Sequence, residues 1–408
     1  RILETVGGTA DGIRTLVHGT TLATNAIIER KGAETLLLTT RGFRDVLETR
    51  TELRYDLYDL FITFPEPLVP RRRRIGVTER VTYDGAVETP LVRDDVLAAL
   101  EAEEADGIES VAVCFLHSYT NPAHEAEAKA IIQEARPDLP VTLSSDVLPE
   151  IGEYGRVSTT VANAYVQPII DRYLSALDGE LREMGSTGGF FVMGSNAGSL
   201  SLDVARNHPV RLVESGPAAG VSIAAHYARR LGLSNLLSFD MGGTTAKIAL
   251  VTDYEPTRTS ELEVARVKRF QKGSGLLLKA PAVDLIEIGA GGGSIARVDN
   301  LGLLTVGPDS AGSAPGPACY GQGGRDATVT DANVALGFLN PDYFLGGNMT
   351  LDRERSVAAI DEHVGGPMGV PTSRASSSIF EVVNDNMANA AAVYAAEQGI
   401  DLRNYALL

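Results

Sequence analysis

The segment Phe239-Asp240-Met241-Gly242-Gly243-Thr244-Thr245 puts an aspartate, two glycines and two threonines side by side. An apolar run over 236–240 delivers the aspartate at its end. The glycines make a tight turn, and the chain returns over 245–251. Glycine lets backbone N–H groups approach an anion closely and form a concave donor site, and threonine hydroxyls add donors. An aspartate beside them can hold a hydrated Mg2+ that bridges phosphates. Gly242, Gly243, Thr244 and Thr245 are therefore candidate phosphate ligands, and Asp240 is the candidate Mg2+ contact, through water. An ordinary Asp/Gly hairpin has the same local pattern.

A second constellation is Val17-His18-Gly19-Thr20-Thr21-Leu22-Ala23-Thr24-Asn25-Ala26: a strand end, a glycine, paired threonines and a helix start. Helix N-termini attract anions and polarised carbonyls. His18 suits an acid, a base or an oxyanion donor, and it suits equally a core histidine beside a helix capped by Thr20 or Thr21. A third is Asp284-Leu285-Ile286-Glu287-Ile288-Gly289-Ala290-Gly291-Gly292-Gly293-Ser294. Here Gly289, Gly291, Gly292 and Gly293 form a candidate phosphate loop, with Asp284 and Glu287 beside it as general base or metal ligand. The alternative is a tight turn with solvated carboxylates. Further on, Cys319 lies in Pro317-Ala318-Cys319-Tyr320-Gly321, where no base is legible nearby, so a structural thiol is the stronger reading. Asp331, with Thr330, either caps the helix that starts at Ala332 or faces the active site.

The elements that must position these residues alternate. Strands are expected at 14–19, 34–39, 110–117 and 140–145, and helices at 20–30, 42–48, 93–105 and from Asn121. Asp84-Gly85 between 77–83 and 87–91 is a hairpin signal, and Pro65, Pro67 and Pro70 mark a surface insertion. A long helix over 153–182, with Pro168 inside it, is a plausible domain connector. The pattern then restarts with a strand at 190–193, a helix opening at Ser215-Gly216-Pro217, and strands at 236–240 and 245–251. Buried strands alternating with helices mean a layered α/β protein. Arg1-Ile2-Leu3-Glu4 reads as the middle of a helix and 404–408 as a strand, so both ends look cut.

Composition agrees. The 408 residues suggest two domains, and 44% hydrophobic residues with 42 glycines fit a globular α/β enzyme. The formal charge of −17, from 36 basic and 53 acidic residues, argues against nucleic-acid binding. The basic run at 71–74 follows prolines and reads as a solvated loop. No apolar run approaches the roughly 18 residues that span a bilayer, and no signal peptide is present. Two cysteines make no disulfide framework, so a reducing, cytoplasmic setting is expected.

Taken together, these motifs resemble the hydantoinase A/oxoprolinase family. His18-Gly19-Thr20-Thr21 with Thr24-Asn25, Glu29-Arg30-Lys31-Gly32, Thr40-Arg41-Gly42-Phe43-Arg44-Asp45, Ser215-Gly216-Pro217-Ala218, Asp240-Met241-Gly242-Gly243-Thr244, residues 289–294 and Pro315-Gly316-Pro317-Ala318-Cys319-Tyr320-Gly321 follow one another in the family's order. The resemblance covers nearly the whole chain. It implies an α/β, actin-like (ribonuclease H-like) two-lobed ATPase fold, lacking its first strands and last segment. The lobes would be residues 1–156 and 157–408, with the second phosphate loop in the latter. A first phosphate loop would precede Arg1, and a further glycine loop would follow Leu408.

The resemblance also implies that ATP with Mg2+ phosphorylates the carbonyl oxygen of a cyclic amide of hydantoin or 5-oxoproline type. The activated amide is then hydrolysed with a hydantoinase B-type subunit or domain in a hetero-oligomer. Asp240, His18, Asp284 and Glu287 would be catalytic, and Thr20, Thr21, Asn25 and Asp331 would line the substrate cleft. Lys247 stands where the family usually has an acidic residue, and Ile286 where hydantoinase-type members often have histidine. Both leave the substrate open. A nucleotide-binding subunit of an ATP-dependent ketone carboxylase and a non-catalytic nucleotide-binding scaffold are the other two readings.

Overall fold

The structure is a computed structural model and describes residues 9–104, 107–268 and 271–408. The helix expected at the first four residues lies outside them. The chain divides into two compact units: residues 1–222 with 258–284, and residues 223–257 with 285–408. The expected lobe boundary at 156/157 falls inside the first unit. The long helix that begins there is buried from Tyr154 to Val166 among elements of that unit.

Unit 1 holds two larger sheets and two hairpins. In the first, β1 (Thr15–His18) pairs in parallel with β6 (Gly189–Met193), which pairs antiparallel with β7 (Ser199–Ser201). The second is fully parallel, in the order β3-β2-β4-β5, from β2 (Thr35–Thr40), β3 (Arg74–Val77), β4 (Ser110–Cys114) and β5 (Val141–Leu143). Both β2 and β4 are buried along their whole length, as central strands covered on two faces must be. Helices α1 (Leu22–Ile28), α2 (Arg93–Glu104), α3 (Ala123–Ala135) and α4 (Glu153–Glu183) complete the layers. The hairpin at Asp84-Gly85 is shorter than expected, joining Arg80–Val81 to Val87–Thr89, because residues 74–77 belong to the parallel sheet.

Helix α4 carries the unit's core. Residues from Tyr154 to Val166 are buried without interruption, and their polar side chains are mostly satisfied within the protein. Ser158 Oγ donates to the Leu277 carbonyl (2.7 Å), Thr159 Oγ1 accepts from Lys279 N (2.8 Å), and Asn163 Nδ2 donates to the Asn207 carbonyl (3.0 Å), while Arg156 donates through Nη2 to the Phe115 carbonyl and leaves its Nε without a partner. Leu277 and Lys279 lie on a strand (Leu276–Val283) of an antiparallel hairpin with Arg258–Val264, a pair the sequence patterning did not indicate.

The run at 71–74 is solvated only in its first half, where Arg71 and Arg72 are exposed. Arg73 and Arg74 are buried, at 2% and 1% exposure. Arg71 pairs with Asp45 (2.7 Å), Arg73 with Glu34, and Arg74 with Glu48 (3.1 Å) and the Val69 carbonyl (2.8 Å). The partner carboxylates are themselves about half exposed, so the buried arginines reach outward to them from the protein side.

Unit 2 is built on β8 (Leu236–Met241), β9 (Ala246–Thr252) and β10 (Leu285–Ile288), which pair antiparallel in that order, with β11 (Ala406–Leu407) parallel to β8 on its other side. The strand expected near the end of the sequence is thus the neighbour of the strand that delivers Asp240. Helices α5 (Val329–Leu336), α6 (Arg353–Ile360) and α7 (Thr372–Glu397) pack on this sheet through Ile248, Leu250, Val329, Ile360, Ile379, Val383 and Tyr394. Among the described residues no helix is long and apolar enough to cross a membrane.

Candidate active site

In unit 2 the aspartate–glycine turn joins β8 to β9. Its register pairs Met241 with Ala246, and Gly242 N donates to the Thr245 carbonyl at 2.8 Å, closing the turn. Residues 240–244 are exposed. The glycine loop at 289–293 lies directly behind. Gly292 N donates to the Gly242 carbonyl (3.1 Å) and Gly293 N to the Gly243 carbonyl (2.6 Å).

These two bonds determine which way the turn's donors point. In a planar trans peptide the carbonyl and the following N–H point in opposite directions. With the carbonyls of Gly242 and Gly243 turned toward the second loop, the N–H groups of Gly243 and Thr244 point away from it. Neither N–H meets an acceptor among the described residues. A Cβ on Gly243 would meet nothing within 4 Å, so a ligand can approach that face of the turn. The donor set and the open space fit a phosphate, and an exposed carboxylate at the end of β8 fits a Mg2+ held through water.

The second loop is therefore a support. Gly291 N donates to Ser294 Oγ (2.9 Å), and the N–H groups of Gly292 and Gly293 are committed to the first turn. Gly289, Gly291 and Gly293 are buried. The N–H groups of Gly291, Gly292 and Gly293 are thus already used within the protein. The loop must be glycine because it lies against the turn: a Cβ on Gly291 would come within 2.7 Å of the Gly243 and Thr244 backbone, and one on Gly292 within 2.8 Å of Thr330 Oγ1. Thr330 anchors the loop through its N–H and hydroxyl, each 2.7 Å from the Gly292 carbonyl.

Strand pairing sets a row of charges beside the turn. Asp240 lies opposite Lys247, and Lys247 opposite Glu287, on three adjacent strands. Directly opposed residues share a face, with Cβ atoms roughly 5 Å apart, so a cation sits between two carboxylates. Asp284, expected to act with Glu287, belongs to unit 1.

Asp331 takes the capping alternative. It is fully buried, and its carboxylate accepts from Ala318 N, Cys319 N, Thr328 N, Thr328 Oγ1 and Ser356 Oγ at 2.7–3.2 Å. With Thr328 as the N-cap it completes a capping box on α5. The cap is Thr328 and not Thr330, and no lone pair remains to face a cleft. Cys319 is also fully buried, and desolvation followed by the Asp331 charge pushes its thiol well above the usual range. Burial pushes Cys114 up to about 12. Both are structural thiols.

In unit 1, His18 ends β1, and Thr20 Oγ1 accepts from Leu22 N at 3.1 Å. Thr21 is the N-cap of α1, but its side chain makes no capping bond; Asn25 Nδ2 donates to Thr21 Oγ1 at 3.3 Å, on an exposed face. Ser215 Oγ donates to the Thr20 carbonyl (3.1 Å), and Thr24 Oγ1 accepts from Glu214 N (3.0 Å). The segment at 214–215 thus supports the His18–Asn25 loop. Burial lowers the His18 pKa below its ordinary value. Sequence reasoning missed Tyr173, whose hydroxyl lies 2.8 Å from His18 Nε2; nothing local signals a helix residue so far along the chain. A polar hollow of about 340 Å3 in unit 1, beside Gln167, Asp171 and Arg206, contains none of the predicted residues.

Comparison with known proteins agrees with these motifs. Residues 156–408 match the model of the hydantoinase/oxoprolinase family, and residues 1–136 match that of the hydantoinase/oxoprolinase N-terminal region. The chain is 37% identical to caprolactamase subunit alpha of Pseudomonas jessenii, over 96% of this chain and 55% of that one. The crystal structure of the ATP-dependent caprolactamase superposes with a TM-score of 0.84 at 36% identity, over 100% of this chain and 58% of that one. A nucleotide-free acetone carboxylase structure matches with a TM-score of 0.80 at 29% identity, over 99% of this chain and 58% of that one. The 5-oxoprolinase of Saccharomyces cerevisiae is 34% identical over 81% of this chain and 27% of its own length. The chain thus spans little more than half the length of the caprolactamase subunit it matches. On these grounds the chain belongs to the hydantoinase/oxoprolinase family.

Proposed function

We propose that the chain is the ATP-handling part of an amidohydrolase that activates a cyclic amide by phosphorylating its carbonyl oxygen. The observation that carries this is the pair of N–H groups of Gly243 and Thr244, turned outward by the backbone behind them. An unactivated amide resists attack by water, and phosphorylation of its oxygen converts it into a species with a good leaving group. The protein's work is then to position phosphates and neutralise charge. In this reading Gly243 and Thr244 hold phosphate through N–H groups, Thr244 and Thr245 add hydroxyls, and Asp240 orients the water shell of a Mg2+ ion. When bound, that ion neutralises phosphate charge. Lys247 adds positive charge beside them. His18, with Thr20, Thr21 and Asn25, handles the amide carbonyl. Asp284 and Glu287 are the candidate bases.

The five-stranded unit 2 sheet, in which β8, β9, β10 and the short strand Glu255–Pro256 pair antiparallel and β11 runs parallel to β8, supports the actin-like ATPase fold. The subunit names of relatives such as caprolactamase subunit alpha and the acetone carboxylase beta subunit of Xanthobacter autotrophicus support a hetero-oligomer, in which we take the partner to be of hydantoinase B type. Two buried free thiols suit the cytoplasm.

A ketone carboxylase is the second reading, favoured by the likeness to acetone carboxylase. The deciding experiment measures ATP turnover by the whole protein with its candidate partner, against 5-oxoproline, hydantoins, caprolactam, and ketones plus bicarbonate. Stimulation by a cyclic amide supports the proposal, and stimulation only by ketone with bicarbonate moves the protein to the carboxylases. ATP bound but never hydrolysed would leave a scaffold.

A further inference from the structure

We infer that Tyr173 is a positioning residue that fixes the tautomer of His18: its hydroxyl donates to Nε2, so that His18 works as a neutral hydrogen-bond donor through Nδ1–H and not as a base. This rests on the reading of His18 as a carbonyl-handling group and deepens it.

The geometry is specific. Tyr173 Oη lies 2.8 Å from His18 Nε2, and Tyr173 reaches it from α4, 155 residues along the chain. The ring centroids of Tyr173 and His18 are 5.7 Å apart, and that of Phe190, on β6 beside β1, lies 6.4 Å from the histidine's. Two aromatic neighbours from different elements therefore hold the imidazole plane. A phenol keeps its proton to about pH 10, far above the imidazole range. A phenol hydroxyl can donate or accept, but it is a far stronger acid than the N–H of a neutral imidazole, and the bare ring nitrogen is a far stronger base than the phenol oxygen, so donation from the hydroxyl to Nε2 is the favoured arrangement. Once Nε2 accepts, the single proton of the neutral ring must sit on Nδ1.

Burial acts in the same direction, since desolvation lowers the His18 pKa and favours the neutral ring. Nδ1 makes no hydrogen bond among the described residues. The ring is thus arranged with its lone pair occupied and one N–H left to meet a ligand. An uncharged imidazole can polarise a carbonyl by donation, and its effect does not depend on taking a proton. Charge developing on a carbonyl oxygen is the event such a donor answers.

The test uses the whole protein, with its partner where one is required for turnover. Selective 15N-histidine labelling, with His18→Gln to assign the resonance, reads the tautomer directly. At pH 7.5 the wild type is expected to show the Nδ1–H form; the Nε2–H form or an imidazolium overturns the inference. Tyr173→Phe keeps the ring and removes only the hydroxyl. It is expected to give a mixture of tautomers. It should also move the acid limb of kcat/KM to higher pH by about half a unit or more, because a bond to the neutral form is lost. An unmoved acid limb and an unchanged tautomer in Tyr173→Phe overturn the inference while leaving His18 in its role. Wild-type turnover in His18→Ala overturns the reading beneath it, and the inference with it.

Discussion

The backbone N–H of Gly293 donates to the carbonyl oxygen of Gly243 at 2.6 Å. A loop that reads in sequence as a second phosphate cradle is therefore the part that aims the first. The same two loops predict opposite behaviour for two glycines. Gly291→Ala forces a methyl to 2.7 Å from the Gly243 backbone, and the turn must shift. ATP turnover is expected to fall at least about tenfold, with a drop in thermal stability. Gly243→Ala meets nothing within the protein, so its stability should stay within about 0.5 kcal/mol of wild type, while KM for ATP rises because the methyl takes the phosphate's space. Unchanged ATP kinetics in Gly243→Ala would remove the turn from the nucleotide site.

Asp240 is exposed at the end of β8, so removing its carboxylate costs the fold little. Asp240→Ala is expected to lower ATP turnover by about 100-fold with an unchanged melting temperature. Titration with Mg2+ should show a higher half-saturating concentration than in the wild type. Wild-type turnover in this variant would defeat the proposed function at its centre.

Lys247 lies between Asp240 and Glu287 in the register of three strands. Lys247→Gln leaves two carboxylates facing each other across one neutral strand position, and unfavourable charge should be felt by an incoming phosphate. KM for ATP is expected to rise several-fold, more at low ionic strength than at high, since salt screens the missing attraction. An effect of equal size at all salt concentrations would assign Lys247 a packing role.

Asp331 has a different kind of importance. Asp331→Ala leaves the N–H groups of Ala318, Cys319 and Thr328 and two hydroxyls without their acceptor inside the protein. A loss of about 3 kcal/mol or more is expected, read as a shift in the urea midpoint. Cys319, buried beside it, should be unreactive toward thiol reagents at pH 8 in the native wild type and become reactive in the variant. Reaction of native Cys319 at the rate of a free thiol would contradict its burial.

The signals legible in the sequence were the local ones. The turn at 240–245, the strand pair around it, the long helix across Pro168 and the terminal strand each depend on patterns within a few residues, and each is present. What escaped depends on distance along the chain. Nothing near Gly291 says that the N–H groups of Gly292 and Gly293 will be spent on a turn 50 residues earlier, and nothing near Tyr173 points to His18. The basic run at 71–74 misled in its second half for the same reason. Its partners Asp45, Glu34 and Glu48 come from segments that meet it only in the fold. Asp331 was ambiguous because the same carboxylate suits a cap and a cleft, and only burial separates the two.

Helix α4 reaches nearly every other part of unit 1 through a different residue. Ser158 and Thr159 hold the hairpin strand at 276–283, Asn163 holds the segment at 207–210, and Tyr173 meets His18. A rod fastened at so many points cannot fray in one place alone. Its amides should exchange with deuterium late and together, as a single block, and a cavity cut into its middle should speed exchange in the strand that carries His18 as well as in the helix itself.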